Sequence, residues 1–277
     1  MPEAPVLLAP GEGEGTDRFT ILADRPEVAL TEFRYEPLRD GAARHIHRHH
    51  ADAFYVLEGD LRITLDEDEL VLGPGGFALI PPGVIHGFGN PSDRPGRYLN
   101  FHAPGCGFGD YLRGNNPDFD QDYDVPPGSG RPTEEAKVVE PGGGDLLEIG
   151  ARRSTVMGGV EDGIGSLAVL ESILPPNLVS PALHVHERTV DSFYVMEGTL
   201  TLHLGDDTVD AHAGTYALVP PGNAHTFANP RDEPVRVLNL MAPAGFERYF
   251  REVAATGGPF DVETTTKIAS KYDFRAI

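Results

Sequence analysis

Two groups of side chains that could bind a metal recur at one spacing in the sequence. The first group is His45, His47, Asp52 and His86, and the second is His184, His186, Asp191 and His225. Every member of the second group lies 139 positions after its counterpart, as His184 does after His45. Three imidazoles and one carboxylate are a suitable ligand set for a divalent first-row metal. The sequence therefore predicts two metal sites in one chain.

The elements that carry these side chains decide whether they can meet. Side chains two residues apart in a strand point to the same face, so both histidines of each His-x-His motif point one way. Asp52 and Asp191 each begin the next predicted strand, and His86 and His225 each follow a Pro-Pro-Gly turn. If these strands are neighbours, each group converges inside a sheet or barrel. Such a site leaves one or two metal positions open for water, substrate or dioxygen.

The same spacing extends to turn residues around the histidines. The residues Gly59, Gly75, Pro81, Gly83 and Asn90 recur as Gly198, Gly214, Pro220, Gly222 and Asn229. A shared offset at so many separate positions indicates that one structural unit has been duplicated. We expect Gly59 and Gly198 to adopt positive φ in hairpin turns, and Asn90 and Asn229 to tie down loops through side-chain hydrogen bonds.

The composition indicates an all-β protein with few helices. The chain has 277 residues, of which 33 are glycine and 25 are proline, and these separate short runs of β-branched and aromatic residues. That pattern is typical of many short strands joined by turns. The exception is the segment 246–255, where apolar residues recur at helical spacing, which predicts a short helix near the C-terminus.

The repeat also predicts the domain organisation. A chain of this length can form two domains of ordinary size. We place an N-terminal domain at 1–130 and a C-terminal domain at 138–277. Residues 124–136 are rich in proline and glycine, and the connecting linker is placed at 131–137. The short apolar run 6–8 is expected to open the first domain, as Val138 and Val139 open the second.

The charge of the chain limits the classes of partner. Lysine and arginine total 22 against 43 acidic residues, a formal net charge of −21. Nucleic acids and anionic membranes bind mainly through lysine and arginine, so neither is an expected partner. The single cysteine, Cys106, argues against an intrachain disulfide, and no segment approaches the roughly 20 apolar residues of a membrane span. We expect a cytoplasmic monomer or homodimer whose partner is a small-molecule substrate.

Five of the 11 histidines fall outside the repeated groups. These are His49, His50, His102, His203 and His212, which face Arg188, Thr189, Met241, Thr64 and Gly73 across the repeat. His49 and His50 follow the first His-x-His motif directly. We expect them to form an exposed cluster at a loop, with the rim of the first site as the alternative.

Both copies resemble the two conserved motifs of the cupin superfamily. The first motif is His-x-His, four residues, an acidic residue, six residues and glycine. The second is glycine, five residues, Pro-x-Gly, two residues, histidine, three residues and asparagine. Both copies match both motifs, with 15 residues between Gly59 and Gly75 and again between Gly198 and Gly214. The segments NFHAPGCGF, NLMAPAGF and PDFDQDYDVPPGSGR, with the final helix, are similar to bicupins of the quercetinase-like flavonol dioxygenases.

The resemblance implies a cupin barrel, which is a double-stranded β-helix or jelly roll, in each half of the chain. It implies that each set of three histidines holds a divalent transition metal (Fe, Mn, Ni, Co, Cu or Zn), up to two per chain. The family usually carries glutamate as the fourth residue, which binds the metal and accepts the proton of the substrate hydroxyl. Asp52 and Asp191 stand there in this chain, and their shorter reach, by about 1.5 Å, leaves open whether they bind the metal directly.

The resemblance implies a metal-dependent dioxygenase of the quercetin 2,3-dioxygenase type. Its substrate would be a small aromatic or enolisable molecule that loses a proton to Asp52 or Asp191 and reacts with dioxygen. One alternative is a metal-dependent isomerase, epimerase or cyclase, in which the metal stabilises an enolate without consuming oxygen. Another is a non-catalytic bicupin that binds a small molecule, against which two intact ligand sets argue. Oxygen uptake separates the two enzyme hypotheses.

Overall fold

A computed structural model describes residues 3–178 and 180–277. In chain order its first strands are β1 (Val6–Leu8), β2 (Glu14–Gly15), β3 (Phe19–Asp24), β4 (Ala29–Tyr35), β5 (Ala51–Glu58), β6 (Leu61–Leu65), β7 (Asp68–Leu72), β8 (Phe77–Ile80), β9 (His86–Gly89) and β10 (Gly96–Ala103). They are followed by β11 (Lys137–Val139), β12 (Asp145–Ile149), β13 (Arg152–Gly158), β14 (Ala168–Leu174), β15 (His184–Val185), β16 (Val190–Glu197), β17 (Thr199–Leu204), β18 (Asp207–His212), β19 (Tyr216–Val219), β20 (His225–Ala228), β21 (Val235–Ala242) and β22 (Arg275–Ala276).

The helices are few and short, as the composition predicts. The described part of the chain has α1 (Phe108–Leu112), α2 (Glu247–Thr256) and α3 (Val262–Ala269), with 3-10 turns at Thr133–Glu135 and Val160–Asp162. The helix predicted at 246–255 is therefore confirmed as α2. Helix α3 lies beyond the segment 246–255. None of the described helices is long and apolar enough to cross a membrane.

The chain forms two compact units, which we call the first barrel and the second barrel. The first barrel contains Gly13–Gly144 and Glu161–Ser166. The second barrel contains the described residues up to Glu12, together with Asp145–Val160 and Leu167–Ile277. Each barrel holds one of the two histidine groups.

The first barrel consists of two antiparallel sheets. One has seven strands in the order β11-β8-β5-β10-β4-β3-β2, and the other has three in the order β7-β6-β9. Leu61, Ile63 and Leu65 alternate with less buried residues along β6, so one face of that strand points inward. This face packs with Phe54 and Val56 of β5 in one hydrophobic core. The core holds the sheets at the spacing that brings the histidine strands together.

The second barrel repeats this arrangement. Its seven-stranded sheet has the order β1-β19-β16-β21-β14-β13-β12, and its five-stranded sheet has the order β18-β17-β20-β15-β22. Phe193, Val195 and Leu202 are buried in its core. Helix α2 packs beside the large sheet, because Phe250 joins a second buried cluster with Leu170 of β14. The all-β fold of two tandem cupin-like barrels with short C-terminal helices is confirmed.

The opening strand of each sequence copy lies in the barrel formed by the other copy. β1 pairs with β19, with Val6 opposite Leu218, and β11 pairs with β8, with Val138 opposite Ala78. The expectation that residues 6–8 open the first domain was therefore wrong. Three apolar residues can pair with either exposed sheet edge, and their sequence does not name the partner. The contiguous domains proposed at 1–130 and 138–277 do not include this exchange.

The turn residues of the repeat behave as expected. Gly59 and Gly198 have φ of 73° and 81°. A Cβ atom at Gly59 would also lie 2.6 Å from the Pro95 carbonyl oxygen, so a larger residue is excluded twice. Asn90 and Asn229 tie their loops, with Nδ2 of Asn90 donating to the Arg94 carbonyl at 2.6 Å. These contacts hold the loops that follow β9 and β20.

Two candidate metal centres

The first centre joins the four predicted residues of the N-terminal copy. His45 forms an isolated β-bridge with His86 at the start of β9, and Asp52 lies on β5. Nε2 of His45 is 3.2 Å from Nε2 of His47, and Nε2 of His86 is 3.2 Å from Oδ2 of Asp52. All four side chains are buried, with at most 2% exposed. The structure thus brings the first ligand group together.

The second centre has the same geometry. His184 of β15 pairs with His225 of β20, and Asp191 lies on β16. Oδ2 of Asp191 is 3.2 Å from Nε2 of His225 and 3.7 Å from Nε2 of His186. The corresponding distances from Asp52 to His86 and His47 in the first centre are also 3.2 and 3.7 Å. The shared spacing in sequence is therefore a shared geometry in space.

Backbone carbonyls determine which imidazole nitrogens face the centres. The Nδ1 atoms of His45, His47, His86, His184, His186 and His225 contact the carbonyl oxygens of Ala43, Asp120, Val84, Ala182, Asp273 and Asn223. A carbonyl only accepts hydrogen bonds, so Nδ1 carries the proton and Nε2 directs its lone pair inward. Converging lone pairs and a carboxylate repel one another unless a proton or a cation lies between them. This donor set fits a divalent metal.

The electrostatics favour the protonation states that bind metal. Burial lowers the pKa of His45 and of His184 to about 3, so both are neutral at physiological pH. Burial opposes ionisation of Asp52, but the nearby His102 and the hydrogen bonds of His47 hold the pKa of this carboxyl well below its usual value. Metal binding requires neutral imidazoles and an ionised carboxylate.

Two imidazoles of the second centre differ in the direction of their pKa shifts. Burial works to lower the pKa of His186, but the Asp191 carboxylate and the contact with Asp273 outweigh burial and raise it. Burial likewise opposes the charge of Asp191, and its histidine neighbours lower its pKa nonetheless. Without a metal, a proton therefore remains between His186 and Asp191 at higher pH than on His184.

An asparagine fixes each carboxylate. Asn100 donates from Nδ2 to Oδ1 of Asp52 at 2.5 Å, and Asn239 donates to Oδ1 of Asp191 at the same distance. Both asparagines are buried. They are themselves 139 positions apart, so the sequence contained the signal that identifies them. They were missed because asparagine was not among the residue types sought as metal ligands.

A further aspartate supports the first centre from behind the His-x-His motif. The carbonyl of Asp120 accepts the Nδ1 hydrogen of His47 at 2.5 Å. Its carboxylate accepts from the backbone N–H groups of Arg48 and His49 at 2.8 and 2.7 Å. One residue thus fixes the ring of His47 and the backbone that follows it.

Asp273 has the same role at the second centre. Its carbonyl accepts from Nδ1 of His186, and its carboxylate accepts from the backbone N–H groups of the next three residues, Glu187, Arg188 and Thr189. Asp120 and Asp273 are 153 positions apart, because the segment that joins the last histidine of the centre to this aspartate is longer in the second copy. The common offset of 139 positions therefore does not align these two aspartates.

Two additional histidines are buried beside the first centre. His50 has 0% of its surface exposed, so its expected place in an exposed cluster was wrong, whereas His49 is exposed. Nδ1 of His50 is 3.3 Å from Oδ2 of Asp120, and Nε2 of His102 is 3.8 Å from Oδ1 of Asp52. His50 lies two residues before Asp52 and so shares its inward parity, a signal that could have placed it.

A cavity opens on the first centre. Its volume is about 240 Å³, and His45, His47 and Asp52 contribute to its wall. Most of the remaining wall is aromatic, including Phe33, Tyr35, Phe88, Phe108, Phe119 and Tyr123. Tyr123 is 52% exposed, with its ring centre 5.5 Å from that of His45. The first centre therefore faces an apolar space suited to a planar ring.

Comparison with known proteins decides the family. A model of the cupin domain matches residues 31–102 and 170–241, more than half of the chain. The chain belongs to the cupin family. Each matched segment contains the carboxylate and all three histidines of one centre, so this cupin carries two complete candidate centres.

Individual relatives agree with this cupin assignment. Quercetin 2,3-dioxygenase of Bacillus subtilis is 24% identical over 305 aligned residues, which cover 93% of this cupin and 87% of that protein. Among solved structures, a putative glyoxylate-induced protein from Pseudomonas aeruginosa has a TM-score of 0.62 at 16% identity, covering 87% of this chain and 88% of that chain. Salicylate 1,2-dioxygenase from Pseudoaminobacter salicylatoxidans has a TM-score of 0.56 at 14% identity, covering 79% and 72%. At these identities the structures support the fold.

Proposed function

We propose that this cupin is a metal-dependent dioxygenase of the quercetin 2,3-dioxygenase-like type. Its substrate is a small aromatic or enolisable molecule that binds in the first barrel. The observation that carries the proposal is the aromatic-walled cavity that opens on His45, His47 and Asp52. The likeness to quercetin 2,3-dioxygenase over most of both chains supports the reaction class.

The residues of the first centre have distinct roles in this proposal. His45, His47 and His86 would hold the metal through Nε2, and Oδ2 of Asp52 faces the same point. A divalent metal bound by these residues would supply Lewis acidity that lowers the pKa of a substrate hydroxyl. Asp52 is ionised and takes the hydroxyl proton on Oδ2, since Asn100 already occupies Oδ1. Removal of that proton makes the substrate electron-rich enough to react with dioxygen.

The cavity limits the substrate. Its 240 Å³ is slightly below the roughly 300–1,000 Å³ of sites for drug-sized ligands. We therefore expect the cavity to hold one or two rings of the substrate, with a hydroxyl next to a carbonyl or a second hydroxyl. Phe88 and Tyr35, whose rings are 6.1 Å apart and nearly parallel, form one flat side of the wall. Aromatic side chains of this kind stack on planar substrates.

The test is oxygen consumption by metal-loaded protein. The metal-free chain is reconstituted separately with Fe²⁺, Mn²⁺, Ni²⁺, Co²⁺, Cu²⁺ and Zn²⁺, its metal content is measured, and oxygen uptake is followed with flavonols, catechols and simple enols. We expect uptake to match substrate loss and to require metal. His86→Ala should abolish uptake, and His225→Ala, the matched change in the second barrel, should preserve it.

Other outcomes would identify the alternative functions. Substrate loss that proceeds equally without oxygen would contradict the dioxygenase and favour the isomerase, epimerase or cyclase. Saturable binding without any turnover, for every metal supplied, would favour a non-catalytic bicupin. Uptake that survives His86→Ala and fails in His225→Ala would move the reaction to the second barrel.

A further inference from the structure

Arg152 lies inside the second barrel among neutral groups. Its Cζ atom is 4.7 Å from the ring centre of Phe250 and 5.7 Å from that of Phe227. Nε donates to Oγ of Ser154 at 2.9 Å, and Nη2 donates to Oγ of Ser172 at 3.1 Å. Two aromatic faces and two hydroxyl groups therefore hold the guanidinium in place. Nothing in this set compensates its full positive charge.

No described carboxylate lies within ion-pair distance of the guanidinium. Within residues 3–178 and 180–277, no carboxylate forms an ion pair with Arg152, and Nη1 has no hydrogen-bond partner. Burial lowers the pKa of Arg152 to about 10, so the group stays charged at neutral pH despite its desolvation. A partly buried cation without a partner is unfavourable unless an anion joins it. The contacts with the two serines use Nε and Nη2 and leave the N–H groups of Nη1 free to donate.

Strand register places this cation close to the second centre. Ser172 lies opposite Val237 on β21, and Asn239, two residues further on the same face, holds Asp191. Phe227 likewise lies two residues after the ligand His225 on β20. Arg152 therefore occupies the layer of side chains next to the second centre, on the inner face of the barrel. Against burial, Tyr249 of α2 and then the charge of Asp191 raise the pKa of Arg152, so Asp191 acts on the guanidinium from beyond ion-pair distance.

In the first barrel, aromatic rings occupy the positions equivalent to Ser172 and Ser154. The residue 139 positions before Ser172 is Phe33, which lines the cavity of the first centre. Phe33 lies opposite Phe19, just as Ser172 lies opposite Ser154. The position that corresponds to Arg152, two residues before Phe19, is Asp17. The surroundings of the two matching centres therefore differ. A pair of aromatic rings lies beside the first centre, and a guanidinium lies beside the second.

We propose that the second barrel is a carboxylate-binding site, in which Arg152 binds the carboxylate of a small organic acid beside the second centre. Guanidinium groups recognise carboxylates with high geometric specificity, and Nη1 is the donor that remains for this contact. The phenyl faces of Phe227 and Phe250 fix the guanidinium before the ligand arrives, which reduces the entropy lost on binding. The site is independent of the dioxygenase proposed for the first barrel.

The experiment measures binding rather than turnover. The protein is loaded with zinc, which has no redox chemistry, and titrated by calorimetry with benzoate and propionate and with their neutral analogues benzamide and propionamide. We expect saturable binding of at least one acid and at least roughly ten-fold weaker binding of its amide. Arg152→Gln should weaken acid binding by roughly ten-fold or more, because it removes the charged donor. Arg152→Lys should give an intermediate affinity, since it retains charge but not the fork.

Arg153→Gln is the matched control. Arg153 is the next residue on β13, faces the other side of the strand and is exposed, so acid binding should be unchanged. The proposal is overturned if neither acid binds saturably, if amide and acid bind equally, or if folded Arg152→Gln protein binds the acid as tightly as the unaltered chain. If Arg152→Gln does not fold, equal affinities of Arg152→Lys and the unaltered chain for the acid would also overturn it. Oxygen uptake is measured separately, so failure of the proposed dioxygenase leaves this result unaffected.

Discussion

Asn100 donates a hydrogen bond of 2.5 Å from Nδ2 to Oδ1 of Asp52. The other carboxylate oxygen, Oδ2, faces Nε2 of His86. One oxygen of the carboxylate is thus fixed by the protein, and one remains available to a metal or a proton. Asn239 and Asp191 repeat the relationship in the second barrel. This arrangement compensates in part for the short reach of aspartate, because the carboxylate cannot turn away from the histidines.

Removal of the asparagine should weaken metal binding without unfolding the barrel. We expect Asn100→Ala to reduce metal affinity at the first centre by about 10- to 100-fold, as is usual when the partner of a metal-site residue is lost. Competition titration with a chelator measures the affinity. Asn90→Ala is the control, because Asn90 ties a loop and does not contact the centre. It should lower the melting temperature and leave metal affinity unchanged; equal metal affinities in both variants would contradict the role given to Asn100.

The aspartates can be tested as base, ligand or structural residue. In Asp52→Asn the side chain keeps its size but loses the basic oxygen, so three histidines should retain the metal while turnover falls by roughly 10²-fold or more. Asp52→Glu restores the longer reach and should retain metal. Asp191→Asn is the comparison in the second barrel and should leave turnover at the first centre unchanged. Metal content, melting temperature and turnover are measured on each variant, and undiminished turnover in Asp52→Asn would contradict its role as base.

The two centres should fill independently. We expect two divalent metals per chain after reconstitution, since each barrel has its own buried ligand group. His86→Ala should leave one metal, held by the second centre, and His225→Ala should leave one metal, held by the first. Elemental analysis of purified protein gives the count, and circular dichroism reports the fold. A folded variant that loses both metals would show that the centres depend on each other.

Acid should release the metal of the second centre through one imidazole. An imidazole binds metal only when it is deprotonated, so a lowered pKa removes competition by protons and a raised pKa increases it. Burial lowers the pKa of His184 to about 3, whereas Asp191 and Asp273 raise that of His186 above its ordinary value in spite of burial. As the pH falls through about 6, protonation of His186 rather than of His184 should therefore release this metal. Metal retention by His86→Ala, which keeps only the second centre, measures the release across pH 4–8, and full retention at pH 4 would refute it.

The supporting aspartates should influence metal affinity from a distance. Asp120→Ala removes the acceptor for the backbone N–H groups of Arg48 and His49, each contact contributing about 1 kcal/mol. We expect a lower melting temperature and roughly ten-fold weaker metal binding at the first centre, because His47 loses its fixed backbone. Asp122→Ala is the control, since the carboxylate of Asp122 accepts from the side chain of Arg48 and the backbone N–H of Asp124, both outside the centre. An effect of equal size in both variants would assign the loss to general loop stability.

Much of the ligand arrangement could be predicted from local spacing. His45 and His47 share a face because strand side chains alternate, and the Pro-Pro-Gly turn before His86 returns the chain to the same strands. The common offset then predicted the second group at His184 and His186. It also reached Asn100 and Asn239, which only needed to be considered as partners of the carboxylates.

The supporting residues depend on loop lengths rather than on spacing. Asp120 and Asp273 both fix a His-x-His motif, but they are 153 positions apart. The segment that returns to the motif differs in length between the two copies. His50 is a case in which parity and composition conflicted. His50 follows the polar residues Arg48 and His49, which suggested an exposed loop. The aromatic ring of Phe119, 5.2 Å away, instead buries it.

The sequence by itself determined which side chains form each centre, because alternation and turn chemistry act over a few residues. Only the tertiary structure decided what surrounds the centres. The common offset aligns Arg152 with Gly13 rather than with Asp17, and its place beside Asp191 follows from the pairing of β13 with β14 and of β14 with β21. The exchange of β1 and β11 was likewise decided by which sheet edge was open. Such contacts join residues distant in sequence, and the register between strands, rather than the residue types, selects them.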